Sequence, residues 1–214
     1  MSLTLLFCHG WGFDASEWDP LAALLPEFPQ ARDDAGYFGA PALPDVAAPC
    51  LAVTHSFGTM RLLAAPPPGL VGLVAIAGFD RFTAADGFPG MQRRFVDRMV
   101  SAVAQAPETV LADFRDRCGS DAPVPASLDA ARLQSDLVAL RDDDRRMAAM
   151  MLGLPVLSLQ AGADPILSVA MRETVFANVP GVMRRTHPSA GHLLASQEPG
   201  WCAEAIRAFA GTLG

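Results

Sequence analysis

The chain alternates short apolar runs with polar or glycine-rich breaks. Six runs read as strands: residues 3–8, a weaker one at 30–34, then 50–55, 70–77, 155–160 and 181–186. The fourth, Leu70-Val71-Gly72-Leu73-Val74-Ala75-Ile76-Ala77, is continuously apolar rather than alternating. Strands buried on both faces have that look, so the pattern predicts a parallel sheet covered by helices. Helices are predicted at about 168–177 and 199–212. From about 88 to 151 no strand pattern occurs. Phe95, Met99 and Val103 recur there at four-residue steps, as do Leu133 and Leu137, with Leu140 three further on. These are helical stripes. Pro107-Glu108 reads as the first turn of a second helix that Gly119 stops, and Ser127 as the cap of the next. A helical insertion of about four helices therefore interrupts an α/β sheet. It serves either as core packing or as a lid.

Composition narrows the class. At 214 residues one domain with a substantial core is expected. Mean hydropathy is +0.26, yet charges, Pro and Gly interrupt every apolar run before it reaches membrane-spanning length. The chain enters a strand at once and its first basic residue is Arg32, so no secretory leader is expected. Cys8, Cys50, Cys118 and Cys202 are scattered without paired spacing. They are expected to be free buried thiols in a reducing cytoplasm. The net charge of −7 argues against nucleic acid as a partner. There is no lysine, and ten of the sixteen arginines fall within 81–150, against eleven acids. The middle is nearly neutral and the flanks carry the acidity.

Chemistry concentrates after the third run. Cys50-Leu51-Ala52-Val53 ends in Thr54-His55-Ser56-Phe57-Gly58, then Thr59-Met60-Arg61-Leu62-Leu63-Ala64. Strand, tight turn and helix in that order form a nucleophile elbow, which lifts a serine hydroxyl clear of the sheet. A serine needs a base and an orienting acid, expected downstream in the order acid, then histidine. His192 sits in the small-residue loop Ser189-Ala190-Gly191-His192, ahead of the last helix. Asp164 ends a strand and glycine loop 28 residues earlier. Ser56, Asp164 and His192 are the expected catalytic set. His187, before Pro188, is the rival histidine and reads as a loop residue; Asp80 is the substitute acid. His55 is read as packing or hydrogen bonding. The loop His9-Gly10-Trp11-Gly12 follows the first strand. Its Trp11 N–H, with that of Phe57, is the expected oxyanion hole, and His9 is expected to steady the loop. This chemistry requires no metal or organic cofactor.

Four local matches carry a family resemblance. They are His9-Gly10-Trp11-Gly12 with Glu17-Trp18; His55-Ser56-Phe57-Gly58; Phe88-Pro89-Gly90-Met91 with Leu133-Gln134-Ser135-Asp136-Leu137 and Asp143-Asp144-Arg145; and Ala190-Gly191-His192 with Ser196-Gln197-Glu198-Pro199. On these the chain resembles the α/β-hydrolase superfamily. Within it, the resemblance is to the pimeloyl-acyl-carrier-protein methyl ester esterases of biotin synthesis. It implies an α/β-hydrolase fold: a reduced, mostly parallel sheet of about six strands, with a helical lid at about 88–151 between nucleophile and acid. Three departures stand out. Thr54 replaces the glycine usual two residues before the serine. Sixteen residues separate Gly39 from Ser56, too few for the usual helix. The two usual edge strands are not expected, because the first strand already leads to His9.

The resemblance implies a cytoplasmic serine carboxylesterase acting on pimeloyl-carrier methyl ester. A broader esterase or thioesterase for short acyl chains, and a catalytically silent ligand-binding member, stay open beside it. Trp11, Phe88, Met91, Phe95, Met99, Met147, Met150 and Met151 are candidate acyl-slot residues, and those of the lid could equally be its core. Arg93, Arg94, Arg98, Arg115, Arg117, Arg141, Arg145 and Arg146 could meet an acidic carrier protein or its phosphate, or form a solvated helix face. Neither nucleic acid nor membrane is expected as a partner.

Overall fold

The structure, a computed structural model, describes residues 2–46 and 48–213. Among them six strands form one sheet: β1 Thr4–Cys8, β2 Gln30–Asp33, β3 Cys50–His55, β4 Leu70–Ile76, β5 Val156–Ala161 and β6 Met183–His187. Their order is β2-β1-β3-β4-β5-β6, and every pairing is parallel. The central strands β1, β3 and β5 are buried along their whole length. This is the arrangement that continuous apolar runs imply.

Alternation along each strand divides the core in two. Leu5, Phe7, Leu51, Val53, Val74 and Ile76 face one side. There they meet helices α1 (Asp19–Ala22) and α9 (Pro199–Ala210). Leu6, Cys8, Ala52, Leu73 and Ala75 face the other side, under α2 (Phe57–Ala64) and the inserted helices. That insertion comprises α3 (Arg93–Val103), α4 (Pro107–Cys118), α5 (Ala130–Asp142) and α6 (Arg146–Met151), between β4 and β5. The striped positions Val103, Leu133, Leu137 and Leu140 are all buried there.

The caps follow the sequence with one correction. Pro107 opens α4, and Gly119 closes it at φ 85°, a conformation that favours glycine. The cap of α5 is Asp129, whose carboxylate accepts from the Arg132 N–H at 2.9 Å, not Ser127. Both residue types cap well, and the helix begins two residues later than the serine would place it. Helix α7 is shorter than predicted, Val169–Thr174, because Val175 leaves the helical region at ψ 138° and Phe176 then turns to φ 57°. Strand β6 lies at the sheet edge with Arg184 and Arg185 exposed, charges that blunt edge-to-edge pairing.

The connection from β2 to β3 carries no helix among the described residues, only a bridge between Asp34 and Ala42. That is the shortening the Gly39-to-Ser56 spacing implies. All four cysteines are free and buried. No helix among the described residues is long and apolar enough to cross a membrane.

Candidate active site

The fold collects three loop ends above the same edge of the sheet. Ser56 stands between β3 and α2 at φ 50°, ψ −123°, a sparsely populated conformation that only the surrounding structure can hold. Its amide donates to the Ile76 carbonyl at 3.1 Å. Gly58 permits the sharp approach, because a Cβ there would press into the carbonyl oxygens of Cys8 and His9. Thr54 is accommodated by a local exchange. It is fully buried, and its hydroxyl lies 2.7 Å from that of Thr59 and 3.3 Å from the Val74 carbonyl. Gly78 in turn leaves room for Thr59, whose hydroxyl a Cβ at that position would strike. The turn therefore keeps its elbow shape with a side chain where glycine is usual.

His192 Nε2 lies 3.0 Å from Ser56 Oγ, and His192 Nδ1 lies 2.8 Å from Asp164 Oδ2. His192 is fully buried, and Asp164 and Ser56 are 8% and 6% exposed. The other Asp164 oxygen accepts from the amides of Ile166 and Leu167 at 2.7 and 3.0 Å. Burial pushes the Asp164 carboxyl up; His192 and these amides outweigh it and hold the pKa below the ordinary range. A carboxylate so fixed orients the imidazole, and the imidazole can accept the serine proton.

The rival residues lie elsewhere. His187 Nδ1 accepts from the Ala190 amide at 3.2 Å, and its ring packs on Trp201. Asp80 is 1% exposed and accepts the Phe176 amide at 3.1 Å. Burial raises its pKa.

The first loop is fixed from two sides. His9 Nε2 accepts from the Ala35 amide at 2.9 Å, so Nδ1 carries the proton and donates to the Gly10 carbonyl at 2.8 Å. In a trans peptide the C=O and N–H point oppositely. Holding the Gly10 carbonyl on His9 therefore turns the Trp11 N–H the other way. The indole of Trp11 donates to the Leu133 carbonyl at 2.9 Å, and Arg115 Nε donates to the Gly12 carbonyl at 2.9 Å. Helices α4 and α5 thus grip the loop directly. Among the described residues, neither the Trp11 nor the Phe57 amide has an acceptor within the protein. Both are free to bind an oxyanion.

A 360 Å³ cavity opens beside this site under α3 and α4. Met91, Phe95 and Met99, three of the candidate acyl-slot residues, line it. Sequence reasoning missed Phe82, Val110, Phe114 and Ile166 in that role. Phe114 stacks edge-on to Trp11 at 4.9 Å, and Ile166 adjoins Asp164, so the cavity abuts the site although Ser56 is not in its wall. The remaining candidates fall outside the cavity wall. Trp11 and Phe88 are buried, and Met147, Met150 and Met151 are exposed. Stripe periodicity gives a helix its apolar face but not what that face meets.

Most of the arginines of the insertion are paired. Arg93 meets Asp142, Arg141 meets Asp97 and Asp142, Arg145 meets Asp143, and Arg146 meets Asp144. Arg115 is buried. Among the described residues Arg94, Arg98 and Arg117 have no carboxylate in ion-pair range. Arg98 and Arg117 lie on the cavity wall with Asp113. No group of side chains among the described residues has a metal-binding arrangement.

Comparison with known proteins extends this picture. No protein-family model matches the chain. It is 28% identical over 201 residues to the biotin biosynthesis bifunctional protein BioHC of Cellvibrio japonicus, covering 80% of this chain. The chain spans 40% of that relative's length. Among solved structures, the esterase EaEST of Exiguobacterium antarcticum superposes with a TM-score of 0.82 at 16% identity, over 98% of this chain and 92% of that one. A bromoperoxidase of Bacillus anthracis gives 0.83 at 14% identity, over 98% and 92%. A hydrolase of Pseudomonas aeruginosa PA01 gives 0.79 at 18% identity, over 98% and 90%. At such identities the shared property is the fold.

Proposed function

We propose that this chain, which has the α/β-hydrolase fold, is a serine carboxylesterase with Ser56 as nucleophile. The observation that carries the proposal is the hydrogen-bonded series from Ser56 through His192 to Asp164. His192 takes the hydroxyl proton as Ser56 Oγ attacks the ester carbonyl. The Trp11 and Phe57 amides receive the negative charge on the carbonyl oxygen. His192 then gives its proton to the departing alcohol, and water, deprotonated by the same imidazole, releases the acid from Ser56. Asp164 holds the imidazole tautomer and balances its transient charge. No step calls for a metal or organic cofactor.

For the substrate we propose an acyl-carrier-bound pimeloyl methyl ester. The likeness to a biotin-synthesis protein and the apolar cavity that reaches Trp11 and Asp164 through Phe114 and Ile166 support it. The acyl chain would enter past Phe95 and Met99. Arg94, Arg98 and Arg117, which have no carboxylate partner among the described residues and, unlike Arg115, are not buried, would meet the acidic carrier or its phosphate. In this proposal residues 1–214 form one cytoplasmic catalytic domain, with 88–151 as its lid.

The test has two arms. Hydrolysis of a short p-nitrophenyl ester should be lost in Ser56→Ala, by about 10⁴–10⁶-fold in turnover; equal rates would remove the serine mechanism. Growth of a biotin-requiring strain that lacks this esterase should be restored by the wild type and not by Ser56→Ala. Ester hydrolysis without rescue would favour a broader esterase or thioesterase.

A further inference from the structure

Behind Ser56 lies a second acid–histidine pair that the acyl-transfer scheme does not use. Glu17, in the short 3-10 turn Ala15–Trp18, points inward. Its carboxylate meets His55 Nδ1 at 2.5 Å, with side-chain exposures of 5% and 1%. The contact is a bent ion pair rather than a straight hydrogen bond. The second carboxylate oxygen accepts the Gly10 amide at 3.2 Å, at the start of the oxyanion loop. On the far side of the ring, His55 Nε2 lies 3.0 Å from the backbone carbonyl of His192. A carbonyl only accepts, so Nε2 donates; with Nδ1 facing a carboxylate, the ring holds both protons.

We propose that Glu17 and His55 form a positioning unit that ties the oxyanion loop to the histidine loop across the elbow, fixing the Trp11 amide and the His192 ring relative to Ser56. Glu17 grips one loop through Gly10, and His55 grips the other through the His192 carbonyl. His55 itself adjoins Ser56 in β3, and its ring lies 5.0 Å from that of His192. Close packing leaves the unit little play: a Cβ on Gly10 would come within 2.9 Å of His55 Nδ1 and 3.3 Å of the Ser56 Cβ. The charge states agree with this geometry. Burial favours the neutral form of each group, but Glu17 holds the His55 pKa above its ordinary range, and His55, His9 and the Gly10 amide hold Glu17 below its own. A buried ion pair is seldom a net source of stability; here it joins two parts of a reaction site that are 182 residues apart, at Gly10 and His192.

The inference rests on the esterase proposal, and the experiment separates the two. Steady-state kinetics on one p-nitrophenyl ester compares wild type with Glu17→Gln, His55→Gln, the double variant and Glu17→Asp. Near-UV circular dichroism establishes that each variant is folded at the assay temperature. Gln is close to Glu in shape but lacks the charge. Turnover should fall about 10- to 100-fold in each Gln variant, the scale expected for a misplaced reacting group, while KM stays within about twofold. The double variant should be no slower than the worse single one, because the pair acts as one unit. Glu17→Asp, which keeps the charge, should recover part of the loss. Folded Gln variants with wild-type turnover, or with changes in melting temperature alone, would overturn the positioning role. An inactive wild type would overturn the esterase proposal itself and the inference with it.

Discussion

Asp164 and Asp80 are both buried carboxylates at the ends of adjacent strands, and local sequence gives either a claim on the histidine. Their partners separate them: Asp164 bonds His192 and two amides, whereas Asp80 bonds the Phe176 amide. Asp164→Asn should therefore lower turnover about 10⁴-fold, through the wrong imidazole tautomer. Asp80→Asn should leave turnover unchanged in the same ester assay. Thr54 makes a similar point about the elbow. Where glycine is usual, its side chain is buried and its hydroxyl partners that of Thr59. Thr54→Val should lower stability by about 1–3 kcal/mol, since a buried hydroxyl then lacks its partner; urea unfolding measures this. Ser56, His192 and the His9 loop were legible because each sits in a short motif with its own backbone shape, whereas the choice of Asp164 over Asp80 needed the folded chain. The bond from Glu17 to His55 was not legible, because 38 residues separate them and only the folded chain aligns them. The available signal was an acid next to Trp18 in a stretch that β1 needs to cover.

At the scale of elements, the strands and the four inserted helices follow from periodicity, and the boundaries differ where a single residue decides. Asp129 rather than Ser127 starts α5, and Val175 ends α7. The cavity wall was harder to read. Phe95 and Met99 belong to α3, but Phe114 and Val110 come from α4 and Ile166 from the loop after β5. With Phe82 and Met91 from the loop before α3, the wall draws on four separate segments and has no periodicity of its own. Met147 and Met151 looked alike in sequence to Met99, yet α6 presents them to solvent. Filling the cavity is the direct check on its role. Met99→Trp should raise KM for long acyl esters and leave that for acetyl esters unchanged, measured across a p-nitrophenyl series. An equal effect on both would detach the cavity from acyl binding.

Across the whole molecule, the net charge of −7 sits mainly outside the insertion, where arginines and acids nearly balance. Under the proposed function, long-range attraction would not bring an acidic carrier to the protein, and local contacts at the free arginines would have to do so. Stability carries a pH signature from the inner pair. The His55 pKa is raised, so its contribution is full below the ordinary imidazole range and fades as pH rises through the elevated value. The Glu17 pKa is lowered, so its contribution is full above the ordinary carboxylate range and fades as pH falls through the depressed value. Together they stabilise most between about pH 4.3 and 6.5. The difference in unfolding free energy between wild type and the Glu17→Gln/His55→Gln double variant should peak in that window and shrink on both sides. The central claim is that Ser56 is a nucleophile activated by His192. Intact-mass and peptide analysis after treatment with a fluorophosphonate tests it most directly. The expected result is one label per chain, on Ser56, lost in His192→Ala; a wild-type chain left unlabelled, or labelled elsewhere, would contradict the account.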